Sequence, residues 1–168
     1  MLIVAVLVVS CSSTAGDEKT ADTPEIMAVA LVQLVTVDNT FGEGPPPFTA
    51  YLIQTKTDPY AGDVGAPNSS PTRDLTEDER TAIEEAISGI GPVQWIDDPE
   101  EWRTAELTPV VDGSVILGLG EPEIEGDTAL VPVSLWCGGL CGTWFSYRID
   151  RVDGSWTVTG IEGPVAIS

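Results

Sequence analysis

Apolar and polar residues alternate most regularly in the last third of the chain, and three strand pairings can be registered there from the pattern alone. Gly126-Asp127 and Asp153-Gly154 are two-residue turn signals, and Gly138-Gly139-Leu140 supplies a third reversal. The first turn sets Ile124 opposite Ala129 and Pro122 opposite Val131. The middle one sets Cys137 opposite Cys141, Leu135 opposite Thr143, Val133 opposite Phe145, Val131 opposite Tyr147 and Ala129 opposite Ile149. The last sets Ile149 opposite Val158 and Tyr147 opposite Gly160. These registers agree, because together they put Ala129, Val131, Val133, Phe145, Tyr147, Ile149 and Val158 on one face. A one-residue slip would bury Arg148 and Asp150 instead. The pattern predicts a four-stranded antiparallel meander whose apolar face must be covered by a helix.

Upstream, the period lengthens to that of a helix. Thr76 and Glu79 form a capping box, Ala82, Ile83, Ala86 and Ile87 make an apolar stripe, and Gly89 supplies the stop. Thr23-Pro24-Glu25 reads as another helix start. Ile26, Val29, Ala30, Gln33, Leu34 and Val37 follow at helical spacing, although "IMAVALVQLVTV" is apolar nearly all round. That run predicts a helix buried on several sides, with a strand as the rival for its β-branched second half. "FGEGPPP" breaks the chain, and "FTAYLIQT" (48–55), "PVQWI" and "SVILGL" read as strands. "DPYAGDVGAPNSSPTRD" predicts a long mobile excursion, and "DDPEEWRTAELTP" is a further loop. The expected fold class is α+β, with helices on one face of a bent antiparallel sheet that ends in the meander. By element order alone it is similar to cystatin-like and nuclear-transport-factor-like rolls.

The first nine residues are all apolar, then come Ser10 and Cys11. Such a run is too short for a membrane-spanning helix, which needs about 20 residues, and fits the apolar part of a secretory signal. Val8-Val9-Ser10-Cys11 resembles the bacterial lipobox, although no Lys or Arg precedes the apolar run. The resemblance implies cleavage after Ser10 and lipidation of Cys11, hence a signal peptide over 1–10 and a membrane partner reached through a lipid anchor. The polar stretch that follows predicts a tether over 11–23 and a single domain over 24–168. The implied location is the extracytoplasmic face of the cell membrane.

A hydrophobic fraction of 42% is enough for a core of ordinary size, so a disordered chain is not expected. Charge is lopsided, with 27 acidic residues against 7 basic ones and a net charge of −20. A field of that sign repels phosphate backbones, so nucleic acid is not an expected partner.

In an exported chain with Cys11 acylated, Cys137 and Cys141 remain as one pair in a disulfide-permissive compartment. The register places them across a short loop, close enough to bond and stabilise the hairpin by about 1–2 kcal/mol. A redox site favours C-x-x-C at a helix start, whereas here the spacing is C-x-x-x-C in a hairpin. A zinc site lacks further ligands, since the chain contains no histidine. The expected role is a structural clasp, and no metal or cofactor is expected. The segment holding Cys137, Gly138, Leu140, Cys141, Gly142, Tyr147, Asp153, Gly154 and Trp156 resembles a C-terminal pattern of uncharacterised exported bacterial lipoproteins of actinobacterial type. The resemblance covers about a sixth of the chain and implies an envelope domain, with no catalytic residue attached.

Without histidine, Ser-His-Asp and Cys-His arrangements are impossible. Asp97, Asp98, Glu100 and Glu101 could supply a carboxylate pair for hydrolysis, but acids this abundant cluster by chance. Glu121, Glu123 and Glu125 alternate opposite Ile124 and predict a solvated outer face. Trp156 should pair with Arg151 across the last turn. Leu130, Pro132, Trp136 and Trp144 fall on the face opposite the core. They predict either a second buried face covered by a helix or loop, or an exposed patch that binds a protein or small ligand. The functional expectation is a membrane-anchored envelope lipoprotein with a non-catalytic binding or structural domain. Its alternative is a carboxylate-dependent hydrolase of the envelope.

Overall fold

The structure is a computed structural model that describes residues 15–42 and 48–168. Cys11, the leader before it and residues 43–47 of the "FGEGPPP" breaker lie outside the described residues. The elements are α1 (Ala15–Thr36), β1 (Tyr51–Gln54), α2 (Glu77–Ile87), β2 (Val93–Ile96), β3 (Val115–Leu119), β4 (Glu123–Glu125), β5 (Thr128–Gly138), β6 (Cys141–Val152) and β7 (Ser155–Ile167). A 3-10 turn, Pro99–Trp102, interrupts the loop between β2 and β3. Among the described residues the fold is α+β, with two helices packed against one face of an open, mixed seven-stranded sheet.

Sheet order is β2-β1-β3-β5-β6-β7, and β4 pairs with the start of β5. The antiparallel sheet expected from the sequence is therefore only half of it, because β2, β1 and β3 run parallel. The physical reason is connection length: α2 and the 97–114 loop each carry the chain back to the end where it started, as parallel neighbours require. β1 and β3 are apolar runs buried on both faces, as parallel strands usually are.

The meander follows its expected register through Ala129–Ile149, Val131–Tyr147, Val133–Phe145 and Leu135–Thr143. Three irregularities interrupt the ladder, one of them between Trp144 and Ser146 beyond the expected pairs, and the other two shift expected partners. Cys137 is extra between Trp136 and Gly138, so Gly138 rather than Cys137 pairs with Cys141. A second irregularity between Arg148 and Ile149 moves Gly160 opposite Arg148, and Tyr147 faces Ile161 instead. Pro122 lies outside β4, whose pairing ends at Glu123–Leu130.

The "IMAVALVQLVTV" run is helical to Thr36, and Ile26, Met27, Leu31, Leu34 and Val35 are buried. Asn39 ends it by donating its side-chain amide to Val35 O at 3.1 Å while accepting from Phe41 N–H. The helix starts at Ala15 and not at Pro24, which sits inside it. A local start signal is overridden here by a long-range one, since Asp22 in the added turns forms an ion pair with Arg151 of β6. Residues 15–22 are thus helix, where the sequence predicted tether.

α2 carries the expected capping box between Thr76 and Glu79. Glu79 is 3% exposed and also receives both guanidinium nitrogens of Arg73, at 2.7 and 2.8 Å. Burial works against its charge, but Arg73 and the Thr76 N–H outweigh burial and hold its carboxyl below the usual range. Arg73 reaches Glu121 as well, at 2.6 Å, which joins the loop before α2 to the segment before β4.

Candidate functional site

The two helices cover the inner face of the sheet; a cavity opens on the outer face, and another of about 700 Å³ lies beside the end of α1 and the β5–β6 tip. Two side-chain rows cross the outer face. One row is apolar: Leu52, Ile116 and Trp136 lie in register on β1, β3 and β5. Ile96 completes this small second core, and Trp102, Ala50 and Trp144 pack around it. The other row is polar: Gly118 on β3 pairs with Ser134 on β5, which pairs with Trp144 on β6, and Gln54 of β1 extends the line.

Asp58 lies directly over Gly118. A Cβ at that glycine would fall 2.4 Å from Asp58 Oδ2 and Ser134 Oγ and 2.9 Å from Gln54 Nε2, so the cluster depends on a residue without a side chain. Ser134 Oγ donates to Asp58 Oδ2 at 2.9 Å, Gln54 Nε2 donates to the same oxygen at 3.3 Å, and Tyr60 N–H donates to Oδ1 at 2.9 Å. Beside this cluster a cavity of about 730 Å³ opens between the 58–74 and 97–114 loops, lined among others by Tyr60, Arg103, Trp136 and Trp144.

Both loops are fixed to the sheet. Asp58 N–H donates to Leu119 O at 2.7 Å and Gly62 N–H to Val133 O at 3.0 Å. Ala61 and Gly62 are buried, and Gly62 holds a left-handed φ of +87° where a Cβ would press on Pro132 and Ser146. The expected mobile excursion is therefore a pinned cover at this end. In the other loop Asp98 caps the 3-10 turn, and Gly139 N–H donates to Leu107 O at 2.8 Å. Arg103 lays its guanidinium 4.7 Å above the centre of Trp136 and pairs with Glu100.

The four residues singled out on this face are divided by the structure. Trp136 is buried beneath Arg103, and half-buried Trp144 opens into the cavity. Leu130 and Pro132 are half-buried under the 58–74 loop, where they line a separate hollow of about 310 Å³. Cys137 and Cys141 form a disulfide with Cα atoms 5.1 Å apart, at the β5–β6 tip. Arg151 lies 4.6 Å over Trp156, the pair expected across the last turn.

Of the acids considered for hydrolysis, Asp97 accepts from Thr55 Oγ1 at 2.6 Å, Asp98 caps the turn, Glu100 holds Arg103 and Glu101 is exposed. Glu123 and Glu125 are exposed opposite buried Ile124, while Glu121 is taken up by Arg73. Further along the outer face Arg148 bonds Asp150 and Glu162. Arg148 chiefly, helped by Thr128 and Thr159, holds the Asp150 carboxyl well below the ordinary range. Among the described residues there is no group of three or more Cys, Asp or Glu side chains that could hold a metal ion.

Sequence patterning reached Trp136 and Trp144 through the hairpin register, but missed Gln54, Asp58, Arg103, Gly118 and Ser134. The available signal was polar or glycine residues interrupting apolar strands, at Gln54, Gly118 and Ser134. No family model matches this chain, and no curated protein or solved structure matches it either.

Proposed function

We propose that this chain is a lipid-anchored protein of the bacterial cell envelope whose domain is a non-catalytic binding module, with the outer-face cleft as its binding site. The observation that carries the binding reading is the convergence of Gln54, Asp58 and Ser134 over Gly118, beside Trp136 and Trp144, in a cavity of about 730 Å³. A few fixed polar groups next to aromatic surface are what a small-ligand site needs. The anchoring reading is supported by the apolar leader and by Val8-Val9-Ser10-Cys11. Only Ser12, Ser13 and Thr14 separate Cys11 from the start of α1, so an acyl group on Cys11 would hold the domain close to the bilayer. No helix among the described residues is long and apolar enough to cross a membrane.

The hydrolase reading has less support. The carboxylates lining the cleft are Asp58 and Glu100, and each is engaged, Asp58 by three donors and Glu100 by Arg103.

Two measurements test the proposal. Expressed in a bacterial host, the wild type should partition into the detergent phase, and Cys11→Ala should move it to the aqueous phase. A wild type that stays aqueous with its leader attached overturns the anchoring. For the cleft, saturation-transfer NMR on the full chain with a panel of small sugars, amides, amines and acids should give signals that Trp144→Ala abolishes. A panel without a single Trp144-dependent signal overturns the binding site.

A further inference from the structure

We infer that the cleft takes an organic cation, a guanidinium or ammonium head on an apolar stem. This rests on the binding reading above and adds the ligand's chemistry.

The first ground is the accounting of donors and acceptors. A carboxylate only accepts, so the Ser134 hydroxyl hydrogen, one Gln54 amide hydrogen and the Tyr60 N–H are all spent on Asp58. What remains at the cluster is mainly acceptor capacity, namely a lone-pair position on Asp58, the Ser134 Oγ lone pairs and Gln54 Oε1, against the second Gln54 amide hydrogen. Among the described residues no donor is bonded to Gln54 Oε1 or to Ser134 Oγ. A ligand that satisfies this cluster must bring more hydrogens than lone pairs.

The second ground is charge. The 58–74 and 97–114 loops that flank the cavity carry nine acidic and two basic residues. Both bases are neutralised locally, Arg73 by Glu79 and Glu121, and Arg103 by Glu100. The chain as a whole carries −20, a field that concentrates cations and depletes anions at a cleft mouth.

The third ground is that one cation already sits here. The Arg103 guanidinium stacked on Trp136 shows that this floor accepts such a group. Its Nε is buried without a hydrogen-bond partner, so stacking and the pair with Glu100 hold it in place. Trp144 and half-exposed Tyr60 offer further ring surface along the same cavity. Among the described residues Arg103 is the one cationic side chain lining the cavity for an anion, and it is already paired with Glu100. A neutral sugar could donate to the acceptors, but would gain nothing from the charge of Asp58 or from the field.

The same experiment tests the source as well as the chemistry, because a free amine and a basic peptide side chain share it. Calorimetry on the full chain in a non-ionic polyoxyethylene detergent, at low salt, would compare agmatine, the peptide Gly-Arg-Gly and Gly-citrulline-Gly, its uncharged isostere. N-acetylglucosamine and acetylglutamate complete the set. Gly-Arg-Gly or agmatine should bind at least tenfold more tightly than the citrulline peptide. Raising salt should weaken the binding, and Trp144→Ala and Asp58→Asn should each weaken it about tenfold or more. The wild-type comparison decides the question even if Asp58→Asn fails to fold. Equal binding of agmatine and Gly-Arg-Gly assigns the cation to a free amine, and binding of the peptide alone to a side chain. Citrulline binding as well as arginine, or acetylglutamate binding better than either, overturns the inference. If N-acetylglucosamine binds in a Trp144-dependent way while both cations fail, the cation is wrong and the cleft stands. If no probe binds and the fragment panel is also blank, both fall.

Discussion

The inner and outer faces of the sheet use alternate residues of the same strands and are covered by different means. On the inner face Val131, Val133, Phe145, Tyr147 and Ile149 meet residues of α1 and α2 in one continuous core. On the outer face four buried residues form a small core, and two loops cover the remainder. A helix satisfies its own backbone and offers neighbours only side chains, so a strand face beneath it must be apolar. Tyr147 fits that face because its hydroxyl escapes to Asp38 at 2.7 Å. The Tyr51 hydroxyl and the Trp156 indole N–H are buried there without partners. A loop brings unpaired N–H groups and short polar side chains, so polar strand residues such as Ser134 can be buried under it and still be bonded. The inner face holds the fold together, and the outer face leaves shaped polar space.

The sharpest way to break that contrast is truncation on each side. Leu117→Ala removes a fully buried inner-face side chain and should cost about 3 kcal/mol of unfolding free energy. Trp144→Ala, on a half-buried ring that borders a cavity, should cost about 1 kcal/mol or less. Equal losses in urea unfolding would mean that both faces are packing.

A smaller effect is expected at the α2 start. Glu79→Gln leaves Arg73 short of its bidentate partner and should cost about 2 kcal/mol, less than a fully buried pair because Arg73 is one-third exposed. The folded Glu79 pKa lies below its unfolded value, so this stability is present above about pH 4.3 and disappears as pH falls through the lower folded value. Urea unfolding at pH 7 and pH 3 should show the gap between wild type and Glu79→Gln narrowing in acid. A gap that stays constant would mean that the ion pair contributes nothing. Smaller again is the clasp: reducing Cys137–Cys141 should cost about 1–2 kcal/mol, because the closed loop is short. It should leave binding in the cleft unchanged, and a change there would tie the hairpin tip to the site.

The elements legible in the sequence are those fixed by neighbours in the chain. The capping box, the meander register up to Cys137 and the cysteine pair each depend on residues a few positions apart. The start of α1 is not legible locally, because Thr23-Pro24-Glu25 is a sound local signal that Asp22, paired with Arg151 129 residues away, overrides. The parallel strands were missed because apolar runs such as "YLIQ" and "VILGL" show that a strand is buried without showing its direction. At the site, alternation sent Trp136 and Trp144 outward. Asp58 belongs to a loop with no period, and its bond to Ser134 spans 76 positions. Gly118 reads as a weak strand residue until the side chains that converge above it are known.

The five tryptophans allow one direct test, because they sample both faces. Trp136 and Trp144 line the cleft, Trp102 packs against the outer core, Trp95 bonds Glu84 on α2, and Trp156 is buried on the inner face beneath Arg151. Indole N–H signals of the full chain, assigned by single Trp→Phe variants, can be followed by NMR while agmatine is added. The Trp136 and Trp144 signals should move with saturation while those of Trp95 and Trp156 stay fixed. Stationary Trp136 and Trp144 signals, or a shift centred on Trp156, would contradict binding in the cleft.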